Sequence, residues 1–228
     1  MGDESIIRHD GHRARMKRRF LDHGLDNFDD INALELLLFF AAPRRDTNGL
    51  AHLLLDRFGS LDGVMEAAPE DLASVQGIGE NAVCLLRLIP AMCRRYVIAK
   101  RPDAEPVDTP SAAGRFFVPY FLYETEEVIL ALLLDARHRP LDCREVGRGV
   151  VNAAQICQRR LAELCLNRRA SAVIVAHNHP SGVATPSRED EEFTRSLKNA
   201  LALLGVELID HIVLAGTEYV SMNESGLM

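Results

Sequence analysis

SAVIVAHNHPSGVATPSRED, residues 171–190, decides how the chain is read. Ser171–Ala176 are small and nearly all apolar, the pattern of a short strand buried in the middle of a sheet. The strand runs into His177-Asn178-His179. Pro180 and Gly182 then turn the chain, and Pro186 and Ser187 open a helix. In an extended segment positions i and i+2 share a side, so His177 and His179 present two imidazoles to one centre while Asn178 points away and ties the loop. Ser187 is an N-cap candidate with Asp190 at N3, a capping box with aspartate in place of the usual glutamate. A negative side chain is also favoured there by the exposed amides of the first turn. If the 180–186 loop returns Asp190 to the histidines, two imidazoles, one carboxylate and one water make a tetrahedral zinc site with an open position. The same residues also read as a common H-x-H pair beside an ordinary helix cap, and spacing alone leaves both readings open.

Outward from this stretch, the second half of the chain alternates strands and helices. EEVILALLLDA (126–136) and HRPLDCREVG (138–147) read as two strands joined by a turn near Ala136–His138. VNAAQICQRRLAELCLNR (151–168) and PSREDEEFTRSLKNALALLG (186–205) read as helices, the second closed by Gly205. VELIDHIVLAG (206–216) and EYVSMNE (218–224) are the last strands, and TPSAAGRFFVPYF (109–121) is a helix leading in. The order predicts a two- or three-layer α/β sandwich. Upstream, AKRPDAEPVDTP (99–110) holds three of the ten prolines and few apolar residues, so the chain divides into residues 1–98, a linker at 99–106, and residues 107–228.

The first part reads as a small all-helical domain. RHDGHRARMKRRFLDHG (8–24) is a basic helix stopped by Gly24. NALELLLFFA (32–41) is nearly all apolar and belongs in a core. TNGLAHLLLDRFGS (47–60) sets Leu50, Leu53, Leu54 and Phe58 at helical spacing. GIGENAVCLLRLIPAMCRRYVIAK (77–100) starts as a tight turn and becomes a long helix that Pro90 bends or breaks.

With 47% apolar and 26% charged residues, the composition is that of a globular protein. No apolar run is long enough to cross a bilayer, and MGDESIIRHDGHR has no apolar signal core, which predicts a cytoplasmic protein without a membrane partner. Five cysteines, none in a C-x-x-C pair, read as buried thiols in a reducing compartment. Residues 1–101 carry 14 Lys or Arg against 15 Asp or Glu, and residues 102–228 carry 12 against 18. The acidic second half argues against a long nucleic-acid track there and leaves room for a local basic patch in the first.

His177, His179, Ser187 and Asp190 match the H-x-H-x10-D pattern, with its S-x2-D serine, of the JAMM or MPN+ metalloprotease superfamily. HNHPSG and PS-x2-D closely resemble the RadC family within it. The likeness continues through ELIDHIVLAGTEYVSMNESGL and spans residues 107–228. It implies an α/β JAMM/MPN-like domain, a cytidine-deaminase-like sandwich, with Zn2+ held by His177, His179 and Asp190. It also implies a catalytic glutamate on an upstream strand, matched to Glu145 in REVGRG, which would take a proton from water and hand it to a leaving nitrogen. Ser187 would stabilise an oxyanion, a role that competes with capping for one hydroxyl. Asp210 and His211 match the family's DH pair, either behind the ligating histidines or as a polar pair at a sheet end. His9, His12, His23, His52 and His138 have no partners at ligand spacing and read as surface or packing residues. The sequence departs from the family at VVNAAQICQRR, where relatives are more polar.

VQGIGENA (75–82) resembles the hairpin of a helix-hairpin-helix module. In that module, amides around Gly77 and Gly79 approach a phosphate, while Leu72, Val75, Ile78, Ala82 and Leu85 pack the turn. Arg15, Lys17, Arg18 and Arg19 add a basic cluster. Together they predict weak, sequence-independent DNA contact, although Glu80 stands where a lysine is usual. The leading expectation is a zinc-dependent hydrolase of amide bonds acting on a protein or peptide. The alternatives are a DNA-associated protein whose zinc site acts on nucleic acid, and a non-catalytic scaffold. The sequence names neither the substrate nor the oligomeric state.

Overall fold

A computed structural model describes residues 3–43, 45–100, 105–149 and 153–228. Residues 101–104 of the expected linker and 150–152 at the start of the expected 151–168 helix lie outside these. Seven helices come first: α1 Asp3–His23, α2 Asp30–Ala41, α3 Thr47–Phe58, α4 Leu61–Glu66, α5 Pro69–Ala73, α6 Glu80–Ala99 and α7 Pro110–Phe121. A mixed α/β region follows: β1 Val128–Leu134, β2 Pro140–Arg148, α8 Ala153–Arg168, β3 Ala172–Asn178, α9 Arg188–Ala202, β4 Glu207–Ala215 and β5 Glu218–Ser221. Contacts group the chain into two compact units, residues 1–93 and 94–228, with the division inside α6.

In the first unit, side-chain caps start the helices. Asp29 accepts from Asn32 N, Asp46 from Asn48 N and Gly49 N, and Ser60 from Gly63 N, each satisfying amides that have no partner within the helix. Leu34 and Leu38 of α2, Leu50, Ala51 and Leu54 of α3, Leu72, Val75, Ile78, Ala82 and Leu86 form one core. Three expectations change here. Leu53 is exposed and Ala51 takes its place, and Leu86 rather than Leu85 packs inward, because the buried face of α6 runs Ala82, Leu86, Pro90 at a spacing of four. Pro90 lies on that buried face within the helix, which continues past it to Ala99. The cysteines divide, with Cys157 and Cys165 buried and Cys84 and Cys93 exposed on the solvent side of α6.

The second unit is built on one sheet in the order β2-β1-β3-β4-β5. β1 is antiparallel to both β2 and β3, β3 and β4 are parallel, and β5 returns antiparallel to β4. The two central strands, VILALLL and AVIVAHN, are apolar in almost every position because both faces are covered. Thr109 caps α7 and Pro110 fills its first turn. α7 covers one face, where Phe117 and Phe121 pack on Leu130, Leu132, Ile174, Ala176, Ile212 and Leu214. α8 and α9 cover the other, where Leu161, Cys165, Leu197 and Leu201 pack on Ala131, Leu133, Val173 and Val175. Fully burying a side chain such as Leu133 or Leu161 stabilises by roughly 1.5–3 kcal/mol. The result is three layers, helix on sheet on helices.

Candidate metal centre

β3 carries the chain out of the core and delivers His177 while it is still only 2% exposed. His177 lies opposite Ile129 of β1 and beside Val213 of β4. Alternation places it on the α8/α9 face, with Val173 and Val175. Asn178 takes the other face and clips two strands together: its Oδ1 accepts from Val128 N at 2.8 Å and its Nδ2 donates to Glu126 O at 2.9 Å. His179 N donates to Leu214 O at 2.7 Å, and Gly182, at φ +84°, closes the turn with its N–H on His179 O. His179 Nδ1 donates to Val183 O at 2.9 Å. A carbonyl only accepts, so the proton sits on Nδ1 and Nε2 of the neutral ring keeps its lone pair.

α9 brings the third group. Asp190 N donates to Ser187 Oγ at 3.1 Å and Ser187 N donates to Asp190 Oδ2 at 2.7 Å, a complete capping box. The Ser187 hydroxyl donates to the same Oδ2 at 2.6 Å, so its single proton is engaged on Asp190. With Oδ2 so held, Oδ1 lies 3.1 Å from His177 Nε2, and His177 Nε2 lies 2.9 Å from His179 Nε2. Burial raises the Asp190 carboxyl, but His177 and the Ser187 bonds outweigh it and hold the group well below the usual carboxylate range.

Among the described residues, His177, His179 and Asp190 form the one cluster of three or more His, Cys, Asp or Glu whose ligand atoms converge. Two imidazole nitrogens and a carboxylate oxygen aimed at one point repel unless positive charge lies between them. An N2O donor set with one monodentate carboxylate fits a small, four-coordinate divalent ion. The cluster is compatible with a JAMM-type metal site.

Behind it, His177 Nδ1 lies 2.8 Å from Nε2 of His211 on β4. His211 Nδ1 lies 2.6 Å from Oγ1 of Thr194 on α9, and Thr194 Oγ1 donates to Asp190 O at 2.6 Å. Burial, reinforced by His177, pushes the His211 imidazole down to about 3, against a weaker opposing pull from Asp190.

Other expected site residues lie elsewhere. Glu145 is corrected: it pairs with Leu130, whose side chain is on the α7 face, whereas His177 is on the α8/α9 face. Val146 alternates to the α8/α9 face, and a register shift opposite Ile129–Leu130, between Glu145 and Gly147, brings Arg148 round to the same face as Glu145. There Arg148 bonds Glu145 at 2.9 Å and Glu124 at 2.8 Å. Of the two places expected for Asp210, the structure fits the polar one away from the ligating histidines. Alternation puts it on the α7 face, where its carboxylate accepts from Ser221 Oγ, Asn223 N and His211 N, and burial raises its carboxyl. In the first unit, Gly77 has φ +94°, and Arg45 Nη1 donates to Gly77 O at 2.9 Å. Arg18 pairs with Asp22, Lys17 lies over the Phe40 ring, and Arg19 lies over Phe28 and donates to Asn27 O. Arg15 is exposed.

Two residues passed over in the sequence bear on the cluster, Thr194 through its hydrogen bonds and Glu127 through its place on the sheet. Thr194 is one turn after Asp190 on the same helix face, a relation readable from the i, i+4 rule. Glu127 lies just before β1, two residues ahead of Ile129, and its carbonyl continues the β1–β2 ladder by accepting from Gly149 N at 2.9 Å. Alternation places it on the face of Ile129 and His177, and it is exposed.

Residues 107–227 match the family described as RadC-like JAB domain. A UPF0758 protein of Burkholderia thailandensis is 36% identical over 210 residues, 92% of this chain and 80% of the relative. UPF0758 proteins of Marinobacter nauticus and Idiomarina loihiensis are 35% and 34% identical over 214 residues, 94% of this chain and 96% of each relative. The similarity therefore extends through the helical N-terminal region.

Proposed function

The chain belongs to the RadC-like JAB domain family, and from that premise we propose that it is a zinc-dependent hydrolase of an amide bond in a protein or peptide. The observation that carries this reading is the convergence of His177 Nε2, His179 Nε2 and Asp190 Oδ1. These three residues would hold the ion. Zinc bound there supplies Lewis acidity, polarising a carbonyl and making water a nucleophile near neutral pH.

The protein's own groups divide the remaining work. Ser187 holds Oδ2 of Asp190 and directs Oδ1 inward. Its proton is spent on that carboxylate, so in this reading it positions a ligand and is not an oxyanion donor. The proton-carrying role expected of Glu145 goes instead to Glu127, which shares the face of His177 and is open to solvent. Its carboxylate would take a proton from water and return it to the leaving nitrogen.

The test is hydrolysis by the zinc-loaded full chain of a peptide library, isopeptide-linked peptides and single- and double-stranded DNA, with chelator-treated and Glu127→Gln protein alongside. Amide cleavage lost in both controls is the expected result. Cleavage of DNA alone would transfer the site to nucleic acid, and zinc binding without any hydrolysis would leave a scaffold.

A further inference from the structure

We propose that Thr194 and His211 are positioning residues that lock His177 into the tautomer able to ligate a metal, closing a hydrogen-bonded circuit between two ligands. The inference rests on the metal reading above and adds how the site is kept ready.

It follows from counting protons. Thr194 Oγ1 lies 2.6 Å from Asp190 O and 2.6 Å from His211 Nδ1. Contacts that short each need a proton between the heavy atoms. The hydroxyl brings one and the carbonyl brings none, so the second belongs to His211 Nδ1. Met222 Sδ, at 3.6 Å from the same hydroxyl, is a distant and weak acceptor. His211 is 1% exposed, and a neutral imidazole that protonates Nδ1 offers only a lone pair at Nε2. The 2.8 Å contact of His211 Nε2 with His177 Nδ1 must then use a proton from His177. A neutral His177 that has spent its proton on Nδ1 presents a bare Nε2 to Asp190 and His179. Thr194 is 0% exposed and the Phe193 ring packs edge-on to His211 at 6.0 Å, so neither group has water as an alternative partner. His179 has its own lock, the Val183 carbonyl. The two ligating imidazoles are thus held by independent devices, one buried and one at the rim.

Thr194→Val keeps the shape and removes the acceptor, so His211 loses what fixes its Nδ1 proton. Zinc affinity of the full chain, read by competition with a chromophoric chelator, should fall about 10–100-fold, the usual effect of losing a partner behind a ligand. Thr194→Ser should restore it. Long-range 1H–15N spectra of wild-type imidazoles should show the proton of both His211 and His177 on Nδ1. Unchanged affinity in Thr194→Val, or a His211 proton on Nε2 in the wild type, would overturn the proposal. If Thr194→Val does not fold, the wild-type spectra decide alone. A wild type that binds no zinc sinks the metal reading itself, whereas one that binds zinc identically with and without the Thr194 hydroxyl sinks only the relay.

Discussion

Glu145 and His177 lie on opposite faces of the same sheet, two strands apart. The Glu145–Arg148 pair is exposed, and such pairs contribute about 0–1 kcal/mol. Glu145→Gln should therefore leave stability, metal content and hydrolysis close to wild type. Glu127→Gln should retain metal and lose about 10²-fold or more in kcat. Steady-state rates of the two variants decide between them, and the reverse pattern would return the role to Glu145.

Metal content follows from the donor set. One zinc per chain is expected, and His179→Ala should lower occupancy sharply while the circular dichroism spectrum stays native, because His179 is at the rim and not in the core. Equal zinc in the variant and the wild type, measured by elemental analysis, would end the assignment.

Metal-free protein should lose stability as pH falls below 6.5. Folded His211 resists protonation down to about 3, whereas in the unfolded chain it protonates near 6.5. Between these values the unfolded state binds the extra proton, so stability rises with pH by about 1.4 kcal/mol per unit. His177 and His179 oppose protonation of His211 and Asp190 favours it. Asp190, held low, loses its contribution only at more acid pH. Urea midpoints in chelator from pH 7 to about 5 should fall in the wild type and fall less in His211→Asn. Parallel curves would contradict the assignment.

DNA contact by the first unit remains a proposal with a direct measurement. Binding by the full chain should be weak, indifferent to sequence and steeply reduced by salt. Replacing Arg15, Lys17, Arg18 and Arg19 with alanine should remove most of it, and Glu80→Lys should strengthen it. Part of that basic cluster is occupied within the unit, by Asp22, Asn27 and the rings of Phe28 and Phe40, which limits the charge left for phosphates. A flat titration at low salt would leave this unit as a protein-docking or structural element.

Limited proteolysis should cut first between Ala99 and Pro110, where prolines cluster. First cuts inside either half would move the boundary.

The meeting of His177, His179 and Asp190 was legible because each step obeys a local rule: strand alternation, a Pro-Gly turn, a capped helix. The order of strands and helices was legible for the same reason. Glu145 was misplaced because its pairing with Leu130 on β1 sets it on the face away from His177. Nothing in REVGRG marks that pairing without the partner strand. Asp210 was left open between two places because the motif pairs it with His211, whereas adjacent strand residues face opposite sides. The exposed Cys84 and Cys93 were misread because α6 carries apolar residues on its outer side as well as its inner one.

The His177–His211 contact joins strands whose residues stand 34 positions apart in the sequence. Contacts of such separation form late, after the intervening segments have collapsed. Until β4 has paired with β3, His177 has no neighbour to decide where its proton sits. Competence to hold an ion is therefore acquired with the finished sheet. An unfolded or partly folded chain offers loose histidines, and only the assembled one brings the three ligand atoms together.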